Sequence, residues 1–382
     1  MIVRKNSTLF TGILLTICTA TILYAQGSMN TFVHDPVMIK QGSTYYIYYT
    51  GNLTPFKTST SRYSGWKDRG SAFSSGPSWI ASTVPANNGR DLWAPDISFR
   101  DNLYWLYYSV SSFGKNTSAI GLATSPTLDP SASNYKWTDQ GVVIKSSTSN
   151  NYNCIDPNVF EDTDGKLWLT FGSFWSGIQL VELDRTTGKP LSNAKISTIA
   201  NRSAGIEAPF LVRWGNYYYL FVSWDKCCDG ANSTYKIVVG RSTSVTGSYV
   251  DKSGKDMKSG GGVILDQSTD QWKGPGHNGI FFENDTMFCV NHAYAASNGA
   301  ATLFIRPFYW KDGWPQFQYV PPVHATTSVQ AATRNKTIRP QIIVRYGQML
   351  SVVAVQGDDI FSINGSKIKL NTKKYLRQSI NR

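Results

Sequence analysis

The stretch HDPVMIKQGSTYYIYYTG, residues 34–51, sets an acid between a histidine and a proline, then an apolar run, a polar turn and a second run dense in tyrosine. Two such runs around a glycine-bearing turn read as a β-hairpin. The same design recurs in WAPDISFRDNLYWLYYSV from Trp93, CIDPNVFEDTDGKLWLTFGS from Cys154, GIEAPFLVRWGNYYYLFVSW from Gly205 and GHNGIFFENDTMFCVNHAY from Gly276. The second strands begin at Tyr45, Leu103, Leu167, Tyr217 and Met287, in steps of 58, 64, 50 and 70 residues. Further strand-like segments lie at 119–125, 177–184 and 236–242, with no amphipathic helical pattern between. Repeats of this period and type predict an all-β fold, a five-bladed β-propeller of about four strands per blade. In that fold the first strand of each blade lines the central channel, so the residues that open these strands are expected at the channel mouth.

On this reading Asp35, Asp96, Asp156, Glu207 and the pair His277/Asn278 converge on one axial cavity. An acid next to a proline also serves merely to start a turn. Four acids at five equivalent positions ask for more, because crowded like charges destabilise a fold unless function retains them. Carboxyl groups in an aromatic-rich cleft suit glycosidic bond hydrolysis: one protonates the leaving oxygen while another activates water or attacks the sugar. Trp93, Phe113, Phe174 and Trp175 lie beside the acid-bearing segments or in loops rich in Gly and Ser, and offer flat faces for sugar rings. With Asp96, Asn153 and Ser173 they are the candidate substrate contacts.

The bulk numbers bound this reading. The chain has 382 residues, 41% hydrophobic and 16% charged, a folded and not a disordered composition. Residues 1–27 carry Arg4 and Lys5, an apolar run from Leu9 to Leu23 and small residues at Ala20, Ala25 and Gly27, the layout of a secretory signal peptide. A membrane anchor is the alternative, but the run is short of the ~20 residues a spanning helix prefers; the mature protein is expected outside the cell and off the membrane. Seven Asn-x-Ser/Thr sequons, at Asn52, Asn116, Asn201, Asn232, Asn284, Asn335 and Asn364, would make it a glycoprotein if the source is eukaryotic. The cysteines beyond that leader, Cys154, Cys227, Cys228 and Cys289, form no disulfide framework and no zinc spacing; the adjacent pair is either a vicinal disulfide or two thiols. Of the net charge of +12, +8 falls between Arg334 and Arg382, within a basic extension at 321–382 that follows a propeller domain at 28–320. Such a tail suits an acidic polymer such as pectin, and equally a solvated chain end. Aromatic and basic residues are not interleaved as a nucleic-acid surface requires. A monomer without an organic cofactor is expected.

Taken in order, HDP at Asp35, WAPD at Asp96, IDPNVFEDTDGKLWLTFGSFWSGI around Asp156, GIEAPF at Glu207, KCCDGANSTY at 226–235 and GPGHNG at His277 resemble the endo-1,5-α-L-arabinanases of glycoside hydrolase family 43. The resemblance runs from about His34 to Pro315. It implies hydrolysis with inversion: Asp35 as general base, Glu207 as general acid, and Asp156 as the third carboxylate that positions Glu207 and tunes its proton affinity. Inversion calls for roughly 6.5–9.5 Å between the Asp35 and Glu207 carboxyls. The resemblance also implies that His277 faces an axial ion, usually calcium with water filling most of its shell; from the residues alone a lone histidine would be a core residue. The implied substrate is linear α-1,5-arabinan, a side chain of plant cell-wall pectin. An exo-acting arabinofuranosidase or xylosidase on the same fold is the first alternative, depending on whether loops block one end of the cleft. A glycan-binding propeller without activity is the second, though a lectin would be expected to lose the acids that this chain keeps.

Overall fold

The computed structural model describes residues 30–317 and three short strands, Val352–Gln356, Asp359–Ser362 and Lys367–Ile368. The expected signal segment at 1–27 and most of the basic extension at 321–382 lie outside the described residues. Five antiparallel sheets form the blades of a five-bladed β-propeller. The first runs Val37–Gln41, Thr44–Tyr48, Pro55–Ser59, Lys67–Ser71; the second Asp91–Arg100, Leu103–Val110, Ser118–Ser125, Thr138–Ser146. The third runs Asn158–Glu161, Leu167–Phe171, Ile178–Leu183, Ser197–Ala200, and the fourth Ile206–Trp214, Tyr217–Trp224, Lys236–Ser242, Val263–Asp266. The fifth runs Trp272–Glu283, Thr286–Ala295, Ala301–Lys311, Trp314–Phe317. A two-residue strand, Gly51–Asn52, leaves the first blade to pair with Leu92 and Asp91 at the edge of the second. Among the described residues helix is confined to Ile80–Thr83 and two single turns, Gly230–Asn232 and Met257–Ser259, none long and apolar enough to cross a membrane.

By proximity the chain divides into two compact units, Met1–Gly279 with Val290–Arg306, and Ile280–Cys289 with Pro307–Arg382. The first holds four whole blades and the site described below. The second contains the hairpin that pairs Phe308–Lys311 with Trp314–Phe317 and the small sheet of Val352–Gln356, Asp359–Ser362 and Lys367–Ile368.

Turn chemistry closes the hairpins. Asp101-Asn102 and Asp312-Gly313 sit between paired strands with φ of 50° and 60°, and 53° and 71°, the two left-handed residues that a type I′ turn needs to match strand twist. Middle strands are covered on both faces, which explains their nearly unbroken apolar sequence: Leu103–Val110 is buried in all but its first residue and Ser118–Ser125 throughout. Outer strands such as Lys67–Ser71 are exposed and charged. The cores lie between blades. One joins Tyr48 and Phe56 to Leu106 and Tyr108, a second Tyr107 and Leu122 to Leu169 and Phe171, a third Leu180 and Ile199 to Leu220 and Val238. Each fully buried side chain of this size contributes about 1.5–3 kcal/mol.

At the cleft end the chain enters each inner strand through a residue with positive φ: Asp35 (50°), Ala94 (45°), Asp156 (58°), Ala208 (53°) and His277 (48°). Such a twist exposes an amide N–H that the sheet cannot satisfy. In every case a side chain from the preceding blade accepts it. Thr50 Oγ1 takes Ala94 N–H at 2.8 Å, Ser109 Oγ takes Asp156 N–H at 2.9 Å, and Asp156 Oδ2 takes Ala208 N–H at 3.0 Å. Ser223 Oγ takes His277 N–H at 2.8 Å, and His292 Nδ1 takes Asp35 N–H at 3.1 Å. The caps form a closed ring.

This ring corrects one expectation. Asp96 stands two residues past the left-handed position, where Asn158 stands in the third blade, and it does not reach the cleft. Its Oδ2 accepts Val159 N–H at 2.8 Å, as Asn158 Oδ1 accepts Leu211 N–H at 2.8 Å: both are staples between neighbouring inner strands. Asp96 is therefore a structural carboxylate and not a substrate contact. Burial lifts its carboxyl to about 6, against the pull of the Val159 and Asn158 hydrogen bonds. Because the folded state holds the proton more tightly than the unfolded chain, stability falls as pH rises from the ordinary 3.8 to about 6 and stays low above. Asp96→Asn removes that penalty: relative to the unmodified protein, the variant should gain stability by about 2–3 kcal/mol between about pH 4 and pH 7. Urea unfolding at both pH values measures it, and equal differences at the two would refute it.

Candidate active site

A cavity of about 1140 Å³ opens at the cleft end, lined by Asp35, Asp156, Glu207 and His277 together with Trp93, Phe113, Asn153, Ser173, Phe174 and Trp175. Ten of the twelve residues singled out from the sequence thus meet in one place; Asp96 and Asn278 do not line it. Phe113 stands 82% exposed on its loop, while Phe174 and Trp175, each 45% exposed, enter the cavity on consecutive left-handed residues. Apolar surface left open at a cavity rim is free to stack on a ligand.

The carboxyls are buried and differently surrounded. Asp35 Oδ2 accepts Thr50 Oγ1–H at 2.5 Å and lies 2.8 Å from His34 Nδ1, while Oδ1 lies 3.2 Å from His277 Nδ1. Burial opposes its charge, but His34 and His277 hold the carboxyl well below the usual carboxylate range. The same pair acts in reverse on His277: burial disfavours the imidazolium, yet Asp35, then Asp156 and Glu207, raise it to about 9. Asp156 has His277 alone against two neighbouring acids. Burial raises its carboxyl, His277 pulls it down, and Glu207 and Asp35 push it up again, to about 8. At neutral pH Asp35 is ionised and Asp156 carries a proton.

Glu207 is the residue immediately before a left-handed position, and its two oxygens are held separately. Ser173 Oγ–H donates to Oε2 at 2.6 Å, and Tyr235 Oη–H donates to Oε1. Ser173 ends the second strand of its blade, as Thr50, Ser109 and Ser223 do of theirs. Here alone the hydroxyl is diverted from the backbone to a side chain, and Asp156 supplies the missing cap to Ala208. The carboxylate that tunes the site thereby fixes the peptide next to Glu207.

Sequence reasoning missed His34, His292, Tyr235 and Tyr294. Three of the four histidines of the chain, His34, His277 and His292, surround Asp35, with His34 and His292 rings stacked at 4.1 Å. Burial, followed by the neighbouring His34, keeps His292 well below the usual histidine value, so it is neutral and able to accept the Asp35 amide. A signal was present in the recurring Thr or Ser that ends the second runs at 50, 109, 173 and 223. Cys227 and Cys228, left open from the sequence, are joined in a disulfide on the cavity wall. Among the sequons, Asn116 is buried with Nδ2 donating to the carbonyls of Ser147 and Asn150, which leaves it unfit for glycan.

A propeller whose cleft holds three buried carboxyls among open aromatic faces is a glycosidase scaffold. The family model for glycosyl hydrolases family 43 matches residues 26–315, and the chain belongs to that family. It is 50% identical over 298 residues to the extracellular endo-α-(1→5)-L-arabinanase 1 of Bacillus subtilis, covering 76% of this chain and 89% of that protein. It is 42% identical to the extracellular exo-α-(1→5)-L-arabinofuranosidase ArbA of Cellvibrio japonicus, covering 76% and 88%. Its fold matches the structure of Cellvibrio cellulosa α-L-arabinanase complexed with arabinohexaose with a TM-score of 0.73 at 42% identity, over 75% of this chain and 96% of that one.

Ser173→Ala deletes one of the two donors on Glu207 and no backbone cap. Leaving a buried carboxyl oxygen without its donor costs about 1–3 kcal/mol, so kcat/KM on the polysaccharide substrate should fall about 5- to 100-fold. Steady-state kinetics with a parallel thermal melt check this; an unchanged kcat/KM, or a loss explained by unfolding, contradicts it.

Proposed function

We propose that this chain is an endo-acting arabinanase, hydrolysing internal α-1,5-L-arabinofuranosidic bonds of linear arabinan with inversion. The observation that carries the mechanism is the contrast between Asp35, ionised beside His34 and His277, and Asp156, protonated beside Glu207. An ionised Asp35 takes a proton from water as the water oxygen bonds to the anomeric carbon. Glu207 gives its proton to the departing glycosidic oxygen as the carbon–oxygen bond breaks. Water attacks from the face opposite the leaving group, so the product anomer is inverted. Asp156, neutral, sets no negative charge beside Glu207 and fixes the adjoining peptide through the Ala208 amide.

The endo reading rests on the cavity and the relatives. A drug-sized ligand fills about 300–1,000 Å³, so 1140 Å³ seats several sugar units. The exo reading keeps weight because one relative, at 42% identity, is named an exo-arabinofuranosidase. Secretion is supported by the leader layout at 1–27 and by relatives named extracellular.

An axial calcium ion is part of this proposal. His277 Nδ1 faces Asp35, so Nε2 is the atom it would offer; it would first have to lose the proton that the surrounding carboxylates hold on it, and water oxygens would make up the rest of a calcium shell. Among the described residues the trio with donor atoms within 4.8 Å of one another is His34, Asp35 and His292, but His34 Nε2 is already bonded to Tyr294 and His292 Nδ1 to the Asp35 amide. The nitrogens of that trio without a hydrogen-bond partner are His34 Nδ1 and His292 Nε2. When bound, calcium would supply positive charge at the cavity floor.

Digestion of linear α-1,5-arabinan, with product sizes followed over time, should yield oligosaccharides early, and the first-formed anomer by NMR should be inverted. Glu207→Ala should slow the reaction about 10²- to 10⁴-fold. Monomer alone from the start would establish exo action, and binding without products a lectin. Exhaustive chelation should lower the melting temperature by a few degrees, restored by calcium; His277→Ala should show no such response, and a parent protein that ignores chelation has no such ion.

A further inference from the structure

The fourth and fifth blades face the cavity differently from the second and third. Trp93, Phe113, Phe174 and Trp175 all come from the second and third. The rings that the fourth and fifth bring, Tyr235 and Tyr294, are buried, and their hydroxyls are engaged with Glu207 and His34. The apolar surface open on that side is the Cys227–Cys228 disulfide, with Cys228 exposed and Cys227 half-buried, beside Gly230, Gly299 and Ala300. The loop that carries it, 225–235, is held from several sides. The Lys226 carbonyl accepts Thr234 N–H at 2.9 Å and Tyr235 N–H at 3.1 Å, and Asp225 is bridged by Arg202 and Lys236. Cys228 N–H donates to Tyr294 Oη at 3.0 Å, and Lys226 pairs with Asp229 at 2.6 Å. A side chain at Gly230 would meet Gly299 of the fifth blade at 3.3 Å, so the two loops touch through glycines. These polar groups are spent within the protein, and sulfur is left toward the cavity. A disulfide has no proton to donate and its sulfurs are weak acceptors, so it offers a polarisable, apolar face.

We propose that the Cys227–Cys228 disulfide is a substrate contact: its sulfurs are the wall against which an arabinosyl ring packs on the fourth- and fifth-blade side of the cavity. The C–H groups of a furanose gain by leaving water for such a surface. The proposal rests on the arabinanase reading and adds to it a contact where no exposed aromatic ring stands. The disulfide brings neither charge nor proton to Asp35 or Glu207, so its effect belongs in KM and not in kcat. Outside the cell, where the protein is expected, such a bond persists.

Two double variants of the full-length protein separate a contact from a mere staple. Cys227→Ala/Cys228→Ala and Cys227→Ser/Cys228→Ser both lose the bond, and differ in whether the surface left behind is apolar. On linear α-1,5-arabinan KM should be about three- to tenfold higher in the serine pair than in the alanine pair, with the two kcat values within about twofold. Equal KM values, or a difference confined to kcat, overturn the proposal. A second measurement leaves both cysteines in place and decides the matter should neither variant fold. In Glu207→Ala a water-soluble phosphine reduces the disulfide, and the new thiols are counted with a dye above the background of Cys154 and Cys289. Arabinohexaose at about ten times its Kd should slow their release about tenfold, as the unliganded fraction falls to about a tenth. An unchanged rate with ligand bound overturns the proposal. An unmodified protein that neither binds nor cleaves arabinan overturns the arabinanase reading and this contact with it, whereas an active protein whose ligand leaves the disulfide open to reduction overturns the contact alone.

Discussion

The amide hydrogen that each inner strand leaves unpaired as it enters the cleft is the constraint on which this site is built. A left-handed, non-glycine residue costs of order 1–2 kcal/mol, and a buried N–H without a partner costs about 1–3 kcal/mol more. Five such residues open the inner strands, and each is capped from the blade before it, the fifth blade capping the first. The caps do what sheet pairing cannot, since they run between blades. They tie the mouth of the cleft into one circle and fix the height at which the left-handed residues present their side chains.

Chemistry sits where this circle departs from its own rule. Thr50, Ser109 and Ser223 are plain hydroxyl caps, although Thr50 also donates to Asp35. Between the third and fourth blades the hydroxyl of Ser173 goes to Glu207, and a carboxylate, Asp156, closes the gap. Between the fifth and first the cap is an imidazole, which brings His292 against Asp35 and stacks it on His34. Substituting a hydroxyl by a group with a second polar function lets one residue satisfy the fold and still face the cavity. The positioning of reactive groups follows from the same bonds that close the propeller.

The hairpins were legible because middle strands buried on both faces must be apolar, and Tyr- and Trp-rich runs recurring at blade spacing admit few other folds. Asp35, Asp156 and Glu207 were legible because an acid beside a proline, or one residue removed from it, repeats at that spacing. Asp96 was misread through register. In HDP and IDP the acid precedes the proline, but in WAPD it follows. Aligned on Pro36, Pro95, Pro157 and Pro209, the left-handed positions are Asp35, Ala94, Asp156 and Ala208, and Asp96 falls on the staple position beside Asn158. The histidine cluster was beyond reach for a different reason. His34 and His292 are brought together by closure of the first blade on the fifth, and no periodicity within a blade encodes a contact made by completing the circle.

Asp35 and Asp156 are the same residue in the same conformation, each before a proline and each with its amide capped, yet they end with opposite protonation. Backbone does not distinguish them; their neighbours do. Asp35 receives His34 from its own blade and His277 from the fifth, and is ionised. Asp156 faces Glu207 from the fourth blade and Asp35 across the cavity, with the pull of His277 and of the Ala208 amide to set against burial, and keeps its proton to about 8. Carboxyls pushed apart in this way let one site keep an ionised group at Asp35 while a neutral one at Asp156 stands beside Glu207. A propeller is suited to it, because rotational repetition gives identical perches while each perch borders two different blades. Changing which side chain a neighbouring blade supplies changes the protonation of a perch without moving it.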